Sequence, residues 1–446
     1  MRRVVKVSRI RIIITIIVVV LTTLLTGCTG KEPNEIAYVV ALGIDSTDDD
    51  NYKITIQYAN TTQISGGASE SGGKAGSEIV DNVTIEAPNI YAGVGLANNI
   101  VSKSFSMSHA KLIVFSKEIA EKGVKDMIET LVRSEEIRPD VFIAVANTTA
   151  NDYLTSVNPE MEVNPAQYYQ LIYQKNQLVG IPDGQLREFF TGLYTDNYDS
   201  ILPVAGVIDG SGGNSQNDDK GQSKDSQNEG SEGSSESLDS FESKSSNEKD
   251  ENEKEKDAEK NTSKYEYDIK NYVGGETTIE KKNKAEAIGA AVFEKDKMVG
   301  ELGEVETEIC KILKGDYTYS YLTYYNNDTP DIPITVKTTQ QKKPKYKIDT
   351  DKKTVDIELY IESDLYSLPA DYNVENKIED FERNVANYTS STCTEFINNF
   401  TKKYNSDILK LNEKVKYKFL TNNQYNWFKK KVDWSEYKFS VCTDFK

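Results

Sequence analysis

The clearest structural pattern in the chain is Tyr38-Val-Val-Ala-Leu-Gly-Ile-Asp45, followed by Ser46-Thr-Asp-Asp-Asp-Asn51 and Tyr52-Lys-Ile-Thr-Ile-Gln-Tyr58. The first run is apolar up to its last residue, which is typical of a strand buried on both faces. The third run alternates apolar and polar side chains, as a strand with one solvated face does. Residues 45–51 are polar and predict a turn, so the sequence predicts a β-hairpin.

The remainder of the first half alternates between strand and helix patterns. Strands are predicted at 79–86, 111–115 and 141–146, and helices from Pro88 onward, at 117–133, at 168–175 and at 186–194. Pro88 suits the first turn of a helix, because its missing N–H has no partner there in any case. This alternation predicts a sheet with helices packed on one face.

A low-complexity segment separates the two halves of the chain. Residues 209–264 contain 16 acidic and 8 basic side chains, and their only apolar residues are Leu238, Phe241 and Ala258. Such a segment buries too little apolar surface to offset the entropy of ordering, so we expect an acidic disordered linker or insert.

The second half has strand and helix patterns of its own. A hairpin is predicted at 287–301, strands at 332–337, 345–348 and 355–361, a long helix at about 374–404, a short helix around Trp427 and a terminal strand. The fold class predicted for the chain is therefore α+β, with mixed sheets, helices packed on them and more than one domain. The expected domains are 28–208 and 265–446, and the second leaves room for a small subdomain before about residue 325.

The N-terminus has the composition of a signal peptide. Five basic residues and no acidic one precede an apolar run from Ile12 to Leu25. A helix of that length spans about 21 Å, whereas the hydrocarbon core of a bilayer is about 30 Å thick. The segment 1–27 is therefore predicted to be a cleaved signal, with an uncleaved signal anchor as the alternative.

Charge and composition narrow the classes of function. The chain has 71 acidic against 53 basic side chains, a formal net charge of −18, and a single histidine, His109. An acidic surface does not suit nucleic acid, so no nucleic-acid partner is expected. With one histidine and no second base near it, we predict that the protein is not an enzyme, and that His109 is a packed or hydrogen-bonded residue at a strand edge.

Several weaker motifs favour structural interpretations, and no catalytic, cofactor or metal site is predicted. The spacing of Asp45, Asp48, Asp49 and Asp50 is not that of a calcium loop, so a solvated turn is expected. The stretch 93–98 imitates a dinucleotide-binding fingerprint but lies inside a helix pattern, where close packing explains its glycines better.

The remaining basic runs and cysteines also have ordinary explanations. The lysines at 342–347 and 429–431 could touch lipid headgroups or an acidic partner, although solvent-facing lysines are the simpler interpretation. Cys310, Cys393 and Cys442 lie too far apart for a zinc or thioredoxin-like motif, and Cys393 falls in a helical apolar pattern that predicts a buried, reduced thiol.

The residues Leu25-Thr-Gly-Cys28 resemble the lipobox of bacterial lipoproteins. The resemblance implies cleavage between Gly27 and Cys28, an S-diacylglycerol on the Cys28 thiol, and acylation of the new N-terminal amine. Two or three acyl chains hold a protein at a membrane far longer than one does.

The order of motifs behind the lipobox resembles the Ger(x)C family of spore germination lipoproteins. The segments that carry the resemblance are 38–45, Phe105-Ser-Met-Ser-His-Ala-Lys-Leu-Ile-Val-Phe-Ser-Lys-Glu-Ile-Ala120, 131–138, 290–302, the region from Asp407, and Trp427-Phe-Lys-Lys-Lys-Val-Asp-Trp434. Two features depart from the family: Thr29-Gly-Lys-Glu-Pro33 replaces a Trp-Asp-Arg-like stretch, and the acidic insert is long.

The family resemblance implies a function. The chain would be the lipid-anchored C subunit of a nutrient germinant receptor, on the outer face of the spore inner membrane. Its partners would be a transporter-like multi-spanning subunit and a membrane subunit with soluble domains, and its role would be assembly and signal coupling, without cofactors. The alternative is a substrate-binding lipoprotein of an ABC importer, although a long disordered segment between the halves suits the short hinges of such a protein poorly.

Overall fold

The computed structural model describes residues 13–18, 35–49, 51–59, 80–159, 162, 164–174, 180–195, 197–208, 265–267, 271–277, 283–326, 329–367, 378–404 and 406–446. Residues 13–18 are helical and exposed. No helix within these ranges combines the length and the apolar character needed to cross a membrane. The elements below are numbered from residue 36 onward. The predicted acidic insert 209–264 lies outside the described residues.

The first half is organised around a nine-stranded sheet of mixed direction. Its strands are β1 (Ile36–Ser46), β2 (Tyr52–Ala59), β3 (Val80–Ala87), β4 (Ser104–Ser106), β5 (Leu112–Ser116), β6 (Phe142–Ala146), β7 (Ile201–Val207), β9 (Ala285–Glu294) and β10 (Lys297–Leu302). The spatial order is β10-β9-β7-β6-β5-β1-β2-β3, with β4 beside β1. Strands β1, β5, β6 and β7 run parallel at the centre of the sheet.

The predicted hairpin is confirmed, since β1 and β2 pair antiparallel with Ile44 opposite Ile54. Asp45 lies in the strand and is 4% exposed, so the solvated turn is shorter than expected from the sequence. Its carboxylate accepts the backbone N–H groups of Ala150 and Asn151, at 2.7 and 3.0 Å. Asp45 is therefore a buried carboxylate that binds the start of a helix.

Helices cover both faces of this sheet, so the prediction of helices on one face was wrong. One face packs against α1 (Ile90–Ala97), α2 (Lys117–Lys122), α3 (Lys125–Val132) and α6 (Leu186–Thr195), and the other against α4 (Ala150–Ser156) and α5 (Pro165–Gln174). In β5, Ile113 and Phe115 belong to the first core and Leu112 and Val114 to the second, because successive side chains point to opposite faces.

The helix predicted over 117–133 is divided in two. Gly123 stands between α2 and α3 with a φ of 122°, a backbone conformation that favours glycine. Its N–H ends α2 on the carbonyl of Ile119, and the N–H of Val124 is donated to the carbonyl of Asp296 in the β9–β10 turn. The break therefore fixes the start of α3 against the edge of the sheet.

The second half contains a six-stranded sheet with one long helix on it. Its strands are β8 (Tyr265–Tyr267), β11 (Tyr319–Asn326), β12 (Thr329–Thr339), β13 (Lys345–Asp349), β14 (Thr354–Ser367) and β15 (Lys438–Phe445), and its helices are α7 (Glu304–Lys314), α8 (Ile378–Lys403), α9 (Leu411–Val415) and α10 (Asn422–Lys429). Strand β15 pairs parallel to β14, and α8 buries Phe381, Val385 and Phe400. The predicted α+β class with more than one sheet is confirmed.

The division of the chain between the two sheets does not follow the position of the acidic insert. Strands β9 and β10 follow the acidic insert, yet β9 pairs antiparallel with β7, and the N–H of Ile208 binds the carbonyl of Lys284 at 2.8 Å. Strand β8 of the second sheet precedes β9, and the other strands of that sheet follow Leu302. Within the described residues, the three cores are formed by side chains between Ala37 and Phe445.

The three cysteines of this body are unpaired. Cys310 on α7 and Cys393 on α8 are buried in the second core, and Cys442 on β15 is exposed. The predicted buried and reduced state of Cys393 is confirmed. Burial raises the pKa of the Cys393 thiol to about 12, so this thiol is an inert packing group.

Candidate functional site at the junction of the two sheets

A cleft of about 440 Å³ lies where the two sheets meet. Its walls come from the segment between α6 and β7, from the end of α7, and from the loop that follows α8. Four carboxylates and four ammonium groups line it: Asp183, Glu188, Asp199, Asp316, Lys311, Lys314, Lys343 and Lys410. A volume of this size matches small-molecule clefts, although most of those have a more apolar lining.

Asp199 connects three segments at the edge of the cleft. Its Oδ1 accepts the backbone N–H of Lys295 at 2.9 Å, and its Oδ2 accepts that of Asp407 at 2.8 Å. Its own backbone N–H donates to the carbonyl of Asp407 at 3.1 Å. Burial raises the pKa of Asp199, against the effect of these hydrogen bonds. Asp199, two positions before β7, thus holds the β9–β10 turn and the loop after α8 together.

Asp407 is the most deeply buried carboxylate of the junction, with 6% of its surface exposed. It accepts the backbone N–H groups of Leu411 at 2.8 Å and Asn412 at 2.9 Å, which fixes the start of α9. Burial raises the pKa of Asp407 to about 7, because the loss of hydration outweighs both hydrogen bonds. Asp199 adds to this rise and Lys414 opposes it.

An ion pair crosses the cleft from α6 to the loop before α9. The Nζ of Lys410 lies 2.8 Å from Oε1 of Glu188 and 4.2 Å from the ring centre of Tyr198. The Tyr198 hydroxyl donates to the carbonyl of Glu188 at 3.0 Å. Burial alone would raise the pKa of Glu188, but the hydrogen bond and charge of Lys410 lower it. This cluster binds the second sheet to the first by charge and by ring contact.

Lys311 brings a second ammonium group to the junction from α7. It is 5% exposed, and its Nζ donates to the carbonyl of Ile181 at 3.2 Å. Burial lowers its pKa to about 8. Burial of a lysine side chain costs free energy unless its ammonium group is hydrogen-bonded. The bond from Lys311 to Ile181 forms only when the two halves lie in this arrangement, so it favours that arrangement.

The arrangement at the junction is suited to holding two sheets in one orientation. Asp199 and Lys311 bind backbone groups of the opposite half, the N–H of Asp407 and the carbonyl of Ile181, whereas the Asp407 carboxylate binds the start of α9 in its own half. Because the bonds of Asp199 and Lys311 cross the junction, they oppose a displacement of one sheet relative to the other. The cleft carries both signs of charge, which suits a small polar or zwitterionic molecule better than an apolar one.

The residues singled out by the sequence lie elsewhere. His109 ends the short 3₁₀ turn Met107–His109 before β5, where its Nδ1 lies 3.0 Å from the Ser108 hydroxyl and its ring meets Tyr38 edge-on at 4.9 Å. Asp48 and Asp49 are in the hairpin turn, away from the buried Asp45. Within the described ranges, no group of three or more His, Cys, Asp or Glu residues could hold a metal ion.

The glycines of α1 have separate explanations. A Cβ on Gly93 would lie 2.6 Å from Cδ1 of Ile54, whereas a Cβ on Gly95 would meet nothing within 4 Å. Gly93 is therefore required by packing against β2, and the resemblance to a nucleotide fingerprint has no structural counterpart. Gly27 and Cys28 lie outside the described residues, so cleavage and lipidation there stay predictions.

Sequence reasoning missed the junction residues. Glu188, Tyr198, Asp199 and Lys410 lie at helix ends and in loops, where no periodicity marks a buried position. The two halves of the site are more than 200 positions apart, as with Asp199 and Asp407. From the sequence alone, a polar residue in a loop is predicted to be solvated, because its distant partner is not known.

Two protein-family models match the chain in order. The model for the spore germination protein N-terminal domain matches residues 30–207, and the model described as spore germination B3/GerAC like, C-terminal, matches residues 288–445. The acidic insert lies between the matched ranges.

Individual relatives match over shorter stretches. Spore germination protein KC of Bacillus subtilis (strain 168) is 26% identical over 174 residues, which cover 36% of this chain and 42% of that protein. Putative spore germination protein YfkR of the same organism is 28% identical over 145 residues, 32% of this chain and 37% of that protein. In these pairings the chain spans about two fifths of the length of its curated relatives.

One solved structure is similar over most of its length. The crystal structure of the GerBC protein is 15% identical and covers 91% of this chain and 96% of that one, with a TM-score of 0.48. The resemblance predicted from the sequence is confirmed by the two family models, which together cover most of the chain in the expected order. The chain belongs to the Ger(x)C family of spore germination proteins.

Proposed function

We propose that this protein is a lipid-anchored subunit of a spore nutrient germinant receptor. One observation carries the proposal: the N-terminal family match begins at residue 30, directly after the lipobox-like Leu25-Thr-Gly-Cys28. Cleavage between Gly27 and Cys28 would leave Cys28 as the first residue, carrying an S-diacylglycerol and an N-acyl group. The folded body would then stand on the outer face of the spore inner membrane.

The proposed role is assembly and signal coupling, without catalysis. The partners are a transporter-like multi-spanning subunit and a membrane subunit with soluble domains. The junction supports this role, because Asp199, Asp407 and the Glu188–Lys410 pair join the two sheets into one body. A partner that binds one sheet then moves the other as well. Four proteins of similar sequence are named as spore germination proteins, which agrees with this role.

A partner census tests the proposal. The protein would be tagged inside residues 209–264, because the C-terminal Lys446 is engaged by backbone hydrogen bonds with Ile361 and Ser363. Membranes from sporulating cells would be solubilised gently, and proteins that copurify would be identified by mass spectrometry. The matched control is the same tagged chain with Cys28→Ala.

The two outcomes separate the proposal from its alternative. Recovery of a transporter-like protein and a second large membrane protein, both reduced in the Cys28→Ala sample, supports a receptor subunit. Recovery of an ABC permease with its ATPase would contradict it and favour a substrate-binding lipoprotein. In that case the mixed-charge cleft at the junction would be the place to search for the solute.

A further inference from the structure

A patch on the surface of the second half combines exposed apolar side chains with lysines. Tyr417, Leu420 and Trp427 are 77%, 93% and 62% exposed, in and around α10. We call these three residues, with Lys416, Lys430 and Lys431, the α10 patch. Soluble proteins seldom expose several large apolar side chains together without a partner. Leu420 is the most exposed of the large apolar side chains in the described part of the chain.

The α10 patch is displayed on an ordered support. Phe419 and Phe428 point inward with ring centres 4.9 Å apart, and Phe419 also packs on Tyr425. The buried Tyr425 donates its hydroxyl hydrogen toward Asn197 and the carbonyl of Asn412, both at 3.1 Å. The exposed residues therefore alternate with a packed inner row, and their outward direction is set by the fold.

The charge of this segment is opposite to that of the chain. Residues 416–431 contain five lysines and no acidic residue, in a chain with a net charge of −18. Lys431 lies 4.2 Å from the ring centre of Trp427, so charge and aromatic surface are presented together. Aromatic rings with adjacent lysines are typical of surfaces at the membrane interface, where lysines meet anionic headgroups.

Helix α10 lies near the end of the first sheet at which strand β1 begins. In the parallel centre of the first sheet, Ala41 of β1 is level with Leu112, Phe142 and, by register, Ile201. Ile36, at the start of β1, and Asn197, before β7, therefore lie at the same edge of the sheet, where these parallel strands begin. Asn197 accepts hydrogen bonds from Tyr425 and Lys429, at 3.1 and 2.9 Å, so it lies directly against α10, the helix that carries part of the patch.

A tether from Cys28 would keep this edge close to the membrane. Seven residues separate Cys28 from Ile36, and eight residue steps reach at most about 28 Å. Only this tether step depends on the proposed lipidation. Charge, exposure and position of the α10 patch are independent of it.

We propose that the α10 patch binds the surface of an anionic phospholipid membrane, as a second contact beside the anchor. Leu420 and Trp427 would enter the headgroup region, and Lys416, Lys430 and Lys431 would neutralise headgroup charge. The otherwise acidic body would thereby be oriented, with the edge that holds Ile36 toward the lipid.

Vesicle flotation of the unlipidated chain, residues 29–446, tests this inference. The probes are vesicles of phosphatidylcholine alone and of phosphatidylcholine with phosphatidylglycerol. Binding is expected only to the second kind, and it should weaken as salt is added. Lys430→Gln with Lys431→Gln is expected to weaken binding about 30-fold. Leu420→Ala with Trp427→Ala is expected to weaken it about tenfold.

Matched controls separate the patch from general surface properties. Lys342→Gln with Lys347→Gln removes two exposed lysines from the other basic run, and Leu365→Ala with Tyr366→Ala removes exposed apolar side chains from β14. These variants should bind as the parent does, and thermal unfolding should show all variants folded.

Equal binding to both kinds of vesicle, or equal losses in patch and control variants, would overturn the inference. Absence of binding would also overturn it and turn attention to an acidic protein partner. None of these results bears on Cys28, because the chain used carries no lipid; failure of lipidation, in turn, would leave the vesicle result standing.

Discussion

Asp407 should make the stability of this protein depend on pH in an unusual direction. Burial raises its pKa from 3.8 to about 7 in the folded state. The folded protein therefore binds this proton more tightly than the unfolded chain does. The stabilisation from protonated Asp407 is fully present below pH 4 and is lost as the pH rises through 7.

The size of the effect follows from the shift in pKa. At about 1.36 kcal/mol per pKa unit, the whole loss is about 4 kcal/mol, and about 2–3 kcal/mol of it falls between pH 5 and pH 8. Asp407→Asn keeps the shape of the side chain and one acceptor, but removes the titration. The free energy of unfolding of the wild type should therefore fall more than that of the variant across this range.

Urea unfolding of the chain 29–446 at pH 5, 6, 7 and 8 measures this difference. Asp444→Asn, at an exposed position of β15, is the control for the loss of one negative charge. The wild type and the control should share one slope against pH, and Asp407→Asn should be flatter. Parallel profiles for the wild type and Asp407→Asn would refute the reasoning, because burial would then not govern this carboxyl.

Three further predictions concern the glycines of α1, the ion pair of the junction and Cys28. Gly95→Ala should stabilise the protein by about 0.5–1 kcal/mol, since the added Cβ would meet nothing within 4 Å. Gly93→Ala should destabilise it by about 1–2 kcal/mol through overpacking. Chemical unfolding measures both changes, and equal effects would contradict the packing assigned to α1. A double-mutant cycle of Glu188→Ala and Lys410→Ala should give a coupling energy of about 0.5–1 kcal/mol that decreases with salt, and a coupling near zero would show that the pair does not join the halves. Cys28→Ala should abolish incorporation of labelled fatty acid and release the protein from membranes, and unchanged retention would favour an uncleaved anchor.

The sequence predicted the elements whose patterns are strong and local. Strand β1, its hairpin with β2, and the long helix α8 were confirmed because each pattern is formed by neighbouring residues. Strand β7 was missed. It contains Pro203 and Gly206, which argue against a central strand, and the structure accommodates them with an irregular register between Pro203 and Ala205.

The junction could not be predicted for a different reason. Asp199 and Asp407 acquire their environment only when two remote loops meet, so their burial and raised pKa values have no local signature. The exposed side of α10 was partly visible as a lysine run. That Trp427 and Leu420 stand outside the core could be learned only from the packing of Phe419 and Phe428 beneath them.

The pairing of β7 with β9 has a consequence for how this protein is made and handled. A fragment that ends before the acidic insert would expose the whole edge of β7, whose residues are almost all buried in the intact sheet. An open apolar strand edge invites pairing with other chains. During synthesis the first sheet therefore cannot be completed until the residues up to about Leu302 have been made. Expression of the first half alone should give aggregates. Co-expression of the segment that carries β9 and β10 should cover the edge of β7 and keep the first half soluble.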